Sequence, residues 1–176
     1  MWRSFASLRD DGAAAICYPP RMVQLEELMG EFKRRVDRTI WCSMATVDSE
    51  RRVRSRIVHP LWDGSVGWLL TERHSPKARE LDGNPWLSLT YIDSAEEQVH
   101  VDCRTEWEGR AEEKRRLWNW FKETPSPQGY DPGLFFTKGV DDESFGCLRM
   151  IPWRIELWSL ADLMAGKPPR VWKPKS

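Results

Sequence analysis

From Gln98 to Trp107 the chain alternates without a break: Val99, Val101, Cys103, Thr105 and Trp107 point one way, His100, Asp102, Arg104 and Glu106 the other. A period of two is the signature of a strand with one face in a core, so this segment must sit in a sheet that has an inside and an outside. Similar short runs precede it: Thr39 to Val47, Arg52 to about Leu61, Ser65 to Thr71 and Trp86 to Ile92. Asp63-Gly64 marks a tight turn, which makes Ser65 to Thr71 the returning strand of a hairpin and the first three strands a meander. Phe145 to Ile151 and Trp153 to Trp158 add two more β runs, separated by Pro152.

Helical signals are inserted between these strands and do not alternate with them. Leu25, Leu28, Met29, Phe32 and Val36 have the spacing of an amphipathic helix. Ser75-Pro76 begins a short helix with a capping serine and a proline at the first helical position, and Gly83-Asn84-Pro85 ends it. Arg110 to Glu123 reads as a charged helix burying Leu117, Trp118 and Phe121, and Ser159 to Ala165 as a last turn. Many short strands with inserted helices predict a mainly β chain, a β-barrel with peripheral helices. The expected organisation is an N-terminal arm over 1–20, one domain over 21–166 and a mobile, proline-bearing tail over 167–176.

Charge narrows the partners. The 176 residues carry 27 basic and 27 acidic side chains, so there is no overall basic excess to hold nucleic acid or an anionic membrane. Arg9, Asp10 and Asp11 interrupt the place where a signal peptide needs its apolar run, and the expectation is a cytoplasmic protein. Cys17, Cys42, Cys103 and Cys147 are too far apart for a zinc pattern and read as reduced thiols. Neither His59, His74 and His100 nor the helical carboxylates Glu112 and Glu113 make a catalytic or metal-binding pattern, so no metal is expected and no side chain is assigned as catalytic. An enzyme built on this chain needs a cofactor to carry its reactivity.

One pattern offers to hold such a cofactor. Arg52, Arg54 and Arg56 alternate and project from one strand face, while Lys77 and Arg79 lie in the helix capped by Ser75. Cations from two segments together with free helix N–H groups suit a phosphate. Two ordinary surfaces are the simpler alternative.

From Thr39 to Leu160 the ordered motifs resemble the FMN-binding split β-barrel family of pyridoxamine 5'-phosphate oxidase, most closely its small general-stress members. The resemblance rests on Arg54-Ser55-Arg56-Ile57-Val58-His59, on Thr71 followed by Ser75-Pro76-Lys77 with Leu81 and Asn84-Pro85, on Glu97-Gln98-Val99-His100, and on Pro152-Trp153-Arg154-Ile155-Glu156-Leu157-Trp158. It implies that Arg56, Ser75 and Lys77 meet the FMN phosphate, that Ile57, Val58 and His59 offer backbone to the ring, that Thr71 approaches its edge or the ribityl chain, and that Gln98 touches the flavin. It further implies that Trp158 reaches the cofactor across a homodimer interface, and that a small-molecule redox substrate is the partner. Two departures separate the chain from the namesake oxidase. Pro76 stands where that enzyme has a second basic residue, and its C-terminal arginine and histidine segment is not found after Trp158. A deazaflavin coenzyme or haem, which other relatives bind, is the alternative cofactor, and a non-catalytic sensor, carrier or store the alternative role.

Overall fold

The computed structural model describes residues 19–94 and 96–175. Helix α1 (Leu25–Thr39) starts with Glu27 accepting the Gln24 backbone N–H at 3.3 Å, and it buries Leu28, Phe32, Arg35 and Val36, a stripe at the spacing of adjacent turns. Strands β1 (Arg21–Met22) and β2 (Cys42–Val47) flank it. Then follow β3 (Val53–Val58), β4 (Leu61–Asp63), β5 (Val66–Glu72), helix α2 (Pro76–Gly83), β6 (Trp86–Ser94) and β7 (Glu97–Trp107). Helix α3 (Ala111–Glu123), a loop with short 3-10 turns, β8 (Phe145–Trp158), α4 (Leu160–Met164) and β9 (Arg170–Trp172) complete the chain. No helix among the described residues is long and apolar enough to cross a membrane.

The strands run in the order β1-β9-β8-β7-β6-β2-β3, with β5 joined to β8 and β4 to β5, and every pairing but β1 with β9 is antiparallel. β8 holds this together by pairing β5 along its first half and β7 along most of its length. Both faces of the β5–β8 pair are buried. Leu69, Leu148 and Met150 enter a larger core with Leu28, Phe32, Met44, Leu89 and Val101, whereas Trp68, Leu70 and Cys147 enter a second core with Leu117, Phe121 and Phe145. Double burial explains why Trp68-Leu69-Leu70 is a continuous apolar run and not an alternating one. In the larger core Trp62 Nε1 donates to Tyr91 OH at 2.8 Å, so the one polar atom of that indole is satisfied where no water reaches it.

The mainly β architecture with peripheral helices agrees with the sequence. Three details do not. The first three strands are not a meander: β3 pairs with β2, and β5 returns from the Asp63-Gly64 turn to pair with β4 and β8. The two runs around Pro152 form one strand, because the β7 register shifts between Asp102 and Cys103, and a bulge is where a residue without an N–H is tolerated. The tail expected to be mobile contains β9, whose Val171 is buried and opposite Glu156 of β8, with Met22 of β1 on its other side. Cys42, Cys103 and Cys147 are buried, unpaired thiols, and burial pushes Cys42 and Cys147 up to about 12. Cys17 and nearly all of the 1–20 arm lie outside the described residues.

Candidate functional site

Strand β3 forms the end of the sheet order, and its alternation turns Arg54 and Arg56 toward α2. The start of that helix is fixed locally. Ser75 Oγ donates to Glu72 O at 2.7 Å and accepts from Ala78 N at 3.4 Å, and Pro76 occupies the first helical position, where no N–H is lost. Arg54, Arg56, Ser75, Pro76, Lys77 and Glu80 line one hollow of about 540 Å³. Its three cations face one carboxylate, so its lining carries a formal excess of two positive charges, the charge of a phosphate monoester with opposite sign.

Arg56 is held in place. The Arg56 guanidinium donates to Thr46 Oγ1 and, at 2.7 Å, to Glu80 Oε2, while the Thr46 hydroxyl donates to the same carboxylate. Burial by itself would raise the Glu80 carboxyl; hydrogen bonds from Thr46 and Arg56 outweigh it and hold the group below its ordinary value. Lys77 lies below its ordinary value too, first because burial disfavours its charge and next because the Arg56 charge is close. Two cations kept near each other in a partly dry site are short of negative charge, the condition for binding an anion. Not all the strand and helix cations take part: Arg52 pairs with Asp48 and Glu50, and Arg79 donates to His74 O at 2.6 Å.

Lys77 also lines a second, apolar hollow of about 580 Å³. One side of it carries Ile57 and Val58 of β3 and Leu70 and Thr71 of β5; Trp41, His59, Tyr130 and Phe135 come from connecting segments. The loop after α3 reaches it by folding back on the helix end, with Gly129 N donating to Pro125 O and Tyr130 N to Phe121 O, both at 3.0 Å. A Cβ at Gly129 would lie 1.9 Å from Thr124 O, so no other residue fits there. His59 is 8% exposed, and burial keeps its imidazole below its usual pKa, in the neutral form.

The site residues read from sequence therefore separate into two sets. Arg56, Ser75 and Lys77 share the cationic hollow, and Ile57, Val58, His59 and Thr71 join Lys77 in the apolar one. Gln98 and Trp158 line neither. They are register partners on β7 and β8, and their carbonyls accept Arg35 Nη1 at 2.9 and 2.8 Å. Sequence reasoning missed Thr46, Glu80, Trp41, Tyr130 and Phe135. Glu80 had a signal, three residues after Lys77 on the same helix face; the loop aromatics had none.

The family pattern of pyridoxamine 5'-phosphate oxidase matches residues 28–155. The chain belongs to the pyridoxamine 5'-phosphate oxidase family. No curated protein matches it. Solved structures of split-barrel relatives resemble it at low identity. A Clostridium acetobutylicum protein related to general stress protein 26 is 14% identical, with a TM-score of 0.66 over 86% of this chain and 96% of that one. A pyridoxamine 5'-phosphate oxidase-related, FMN-binding protein of Nostoc punctiforme is 16% identical, with a TM-score of 0.58 over 84% and 90%. The heme storage protein HutZ of Vibrio cholerae is 17% identical, with a TM-score of 0.54 over 78% and 95%. At these identities the likeness establishes the fold, a split β-barrel, and the functional question returns to the two hollows.

Proposed function

We propose that the protein binds FMN and is an oxidoreductase of the pyridoxamine 5'-phosphate oxidase type, with the flavin held at a homodimer interface. The observation that carries this reading is the junction at Lys77, where a cationic hollow with room for a phosphate group opens beside an apolar one suited to a flat ring. The donor set fits the cofactor. Arg56 and Lys77 bind the phosphate, with the N-terminal N–H groups of α2 behind them, each charge-assisted hydrogen bond contributing roughly 1.5–3 kcal/mol. Thr46 and Glu80 orient the Arg56 guanidinium, and Ile57, Val58, Leu70 and Thr71 keep water from the ring. When bound, FMN supplies two-electron redox chemistry; the protein holds a small-molecule redox substrate beside it.

The dimer is supported by what β3 and its neighbours expose. Trp41, Val53, Ile57, Trp86 and Trp153 are all exposed apolar side chains, and Trp86 and Trp153 meet edge to face with ring centroids 6.2 Å apart, the kind of surface that a partner subunit covers. Gln98 and Trp158, which line neither hollow of their own chain, are available to a partner's site. The purified protein is expected to carry flavin absorption, or to acquire it on adding FMN. A colourless protein that ignores FMN contradicts the reading; uptake of a deazaflavin coenzyme or of haem in place of FMN replaces the cofactor.

A further inference from the structure

The apolar hollow is wider in chemistry than a flavin ring requires. Beyond the β3 and β5 side chains it has a set of rings from three connecting segments. Trp41 and His59 have ring centroids 4.7 Å apart, His59 and Tyr130 5.1 Å, and Tyr130 and Phe135 5.9 Å. The two ends of this row are not core. Trp41 is 57% and Phe135 69% exposed, whereas Phe136, the next residue, packs into the second core.

The backbone spends energy to keep Trp41 there. Ile40 sits at φ 65° between α1 and β2, a region that strains a β-branched residue and persists only where the surroundings enforce it. On the other side, the Gly129 close approach fixes Tyr130.

Ionic groups are few in the hollow. Among the described residues lining it, only Lys77 and Glu72 are ionic. Lys77 also faces the cationic hollow, and the Glu72 carboxylate accepts the His74 backbone N–H at 2.7 Å. His59 is buried, its Nε2 has no hydrogen-bond partner among the described residues, and a neutral ring is the state that such a position favours. Among the described residues lining the hollow, Lys77 is the one cation, and in the FMN reading the cofactor's own phosphate takes it up, which leaves no cation for a second phosphate.

We infer that this hollow takes an uncharged, flat aromatic substrate, packed among Trp41, His59, Tyr130 and Phe135, in place of a second phosphorylated molecule. The inference rests on the FMN reading for the use of Lys77, and it deepens that reading by naming the substrate class. Flat rings gain most from such a row because aromatic pairs add to the area they bury.

The test uses the full chain and two probes, 1,4-naphthoquinone as the uncharged aromatic and pyridoxine 5'-phosphate as the charged one. FMN is titrated first; calorimetric titration of each probe follows at saturating FMN. Naphthoquinone is expected to bind at least about tenfold more tightly than pyridoxine 5'-phosphate, and Phe135→Ala to weaken naphthoquinone binding by about tenfold, the scale of one lost aromatic contact, a larger factor than its effect on FMN, whose phosphate anchor at Arg56 and Lys77 the substitution leaves in place. Equal or tighter binding of pyridoxine 5'-phosphate overturns the inference, as does naphthoquinone binding that ignores Phe135→Ala. Absence of naphthoquinone binding also overturns it, and a halved mass for Phe135→Ala then assigns Phe135 to subunit contact. If the wild-type chain takes up no FMN, the cofactor reading fails by itself. The naphthoquinone titration is then run on the FMN-free chain, where sensitivity to Phe135→Ala sustains the aromatic site and insensitivity removes it.

Discussion

Arg56 of β3 and Glu80 of α2 meet at 2.7 Å, with the Thr46 hydroxyl bonded to both. The Glu80 side chain is only 9% exposed, so this contact ties the last strand of the sheet order to the helix that carries Lys77, and it sets the direction of the guanidinium. Glu80→Gln removes the charge and keeps the shape. The expected result is a loss of about 1–3 kcal/mol of stability, the cost of leaving a part-buried arginine without its counter-charge, together with weaker FMN retention despite a more positive hollow. Chemical denaturation and an FMN titration check the two halves; tighter FMN binding in the variant shows that Glu80 competes with the phosphate and does not orient Arg56.

Acid is expected to loosen the anchor between α1 and β7. The Glu97 carboxyl is held at about 2, foremost by the Arg34 hydrogen bond at 2.6 Å, with partial burial opposing and Arg38 adding. Glu31 is also held low: burial alone would raise it, and the Arg170 and Arg35 hydrogen bonds outweigh that. Because the folded values lie below the ordinary 4.5, the unfolded chain takes up protons first as pH falls. The stabilisation is therefore complete above about 4.5 and is lost on the way down to about 2. Denaturation midpoints measured between about pH 5 and pH 3 are expected to fall, and Glu97→Gln to flatten that slope. A parallel slope in the variant removes Glu97 from the cause.

Val53, 71% exposed on β3, tests the dimer. Val53→Asp places a charge on the apolar face without touching either core, and the expected outcome is a halved mass in light scattering with an unchanged circular dichroism spectrum. A wild-type monomer, or a dimer unaffected by the substitution, excludes this face as the interface.

What the sequence makes legible depends on how local the cause is. The α2 start is fully local, since Ser75 caps the helix that Pro76 opens, and its position beside Arg56 follows from the strand period. β9 was illegible for the opposite reason. It is three residues long, too short for a period, and is formed by pairing with β1 and β8 at the two ends of the chain. Pro152 misled because its tolerance depends on a register shift in the facing strand. Trp41, Tyr130 and Phe135 carry no pattern at all; loops separated by about half of the chain bring them to one hollow, and only the folded arrangement reveals it.

The central claim is that Arg56 and Lys77, brought together from β3 and α2, anchor a flavin by its phosphate. FMN titration of the wild type and of the Arg56→Ala, Lys77→Ala double variant, followed by flavin fluorescence at constant ionic strength, tests it most directly. The account predicts binding by the wild type and none by a double variant that keeps its circular dichroism spectrum; equal FMN affinity in the two proteins contradicts it.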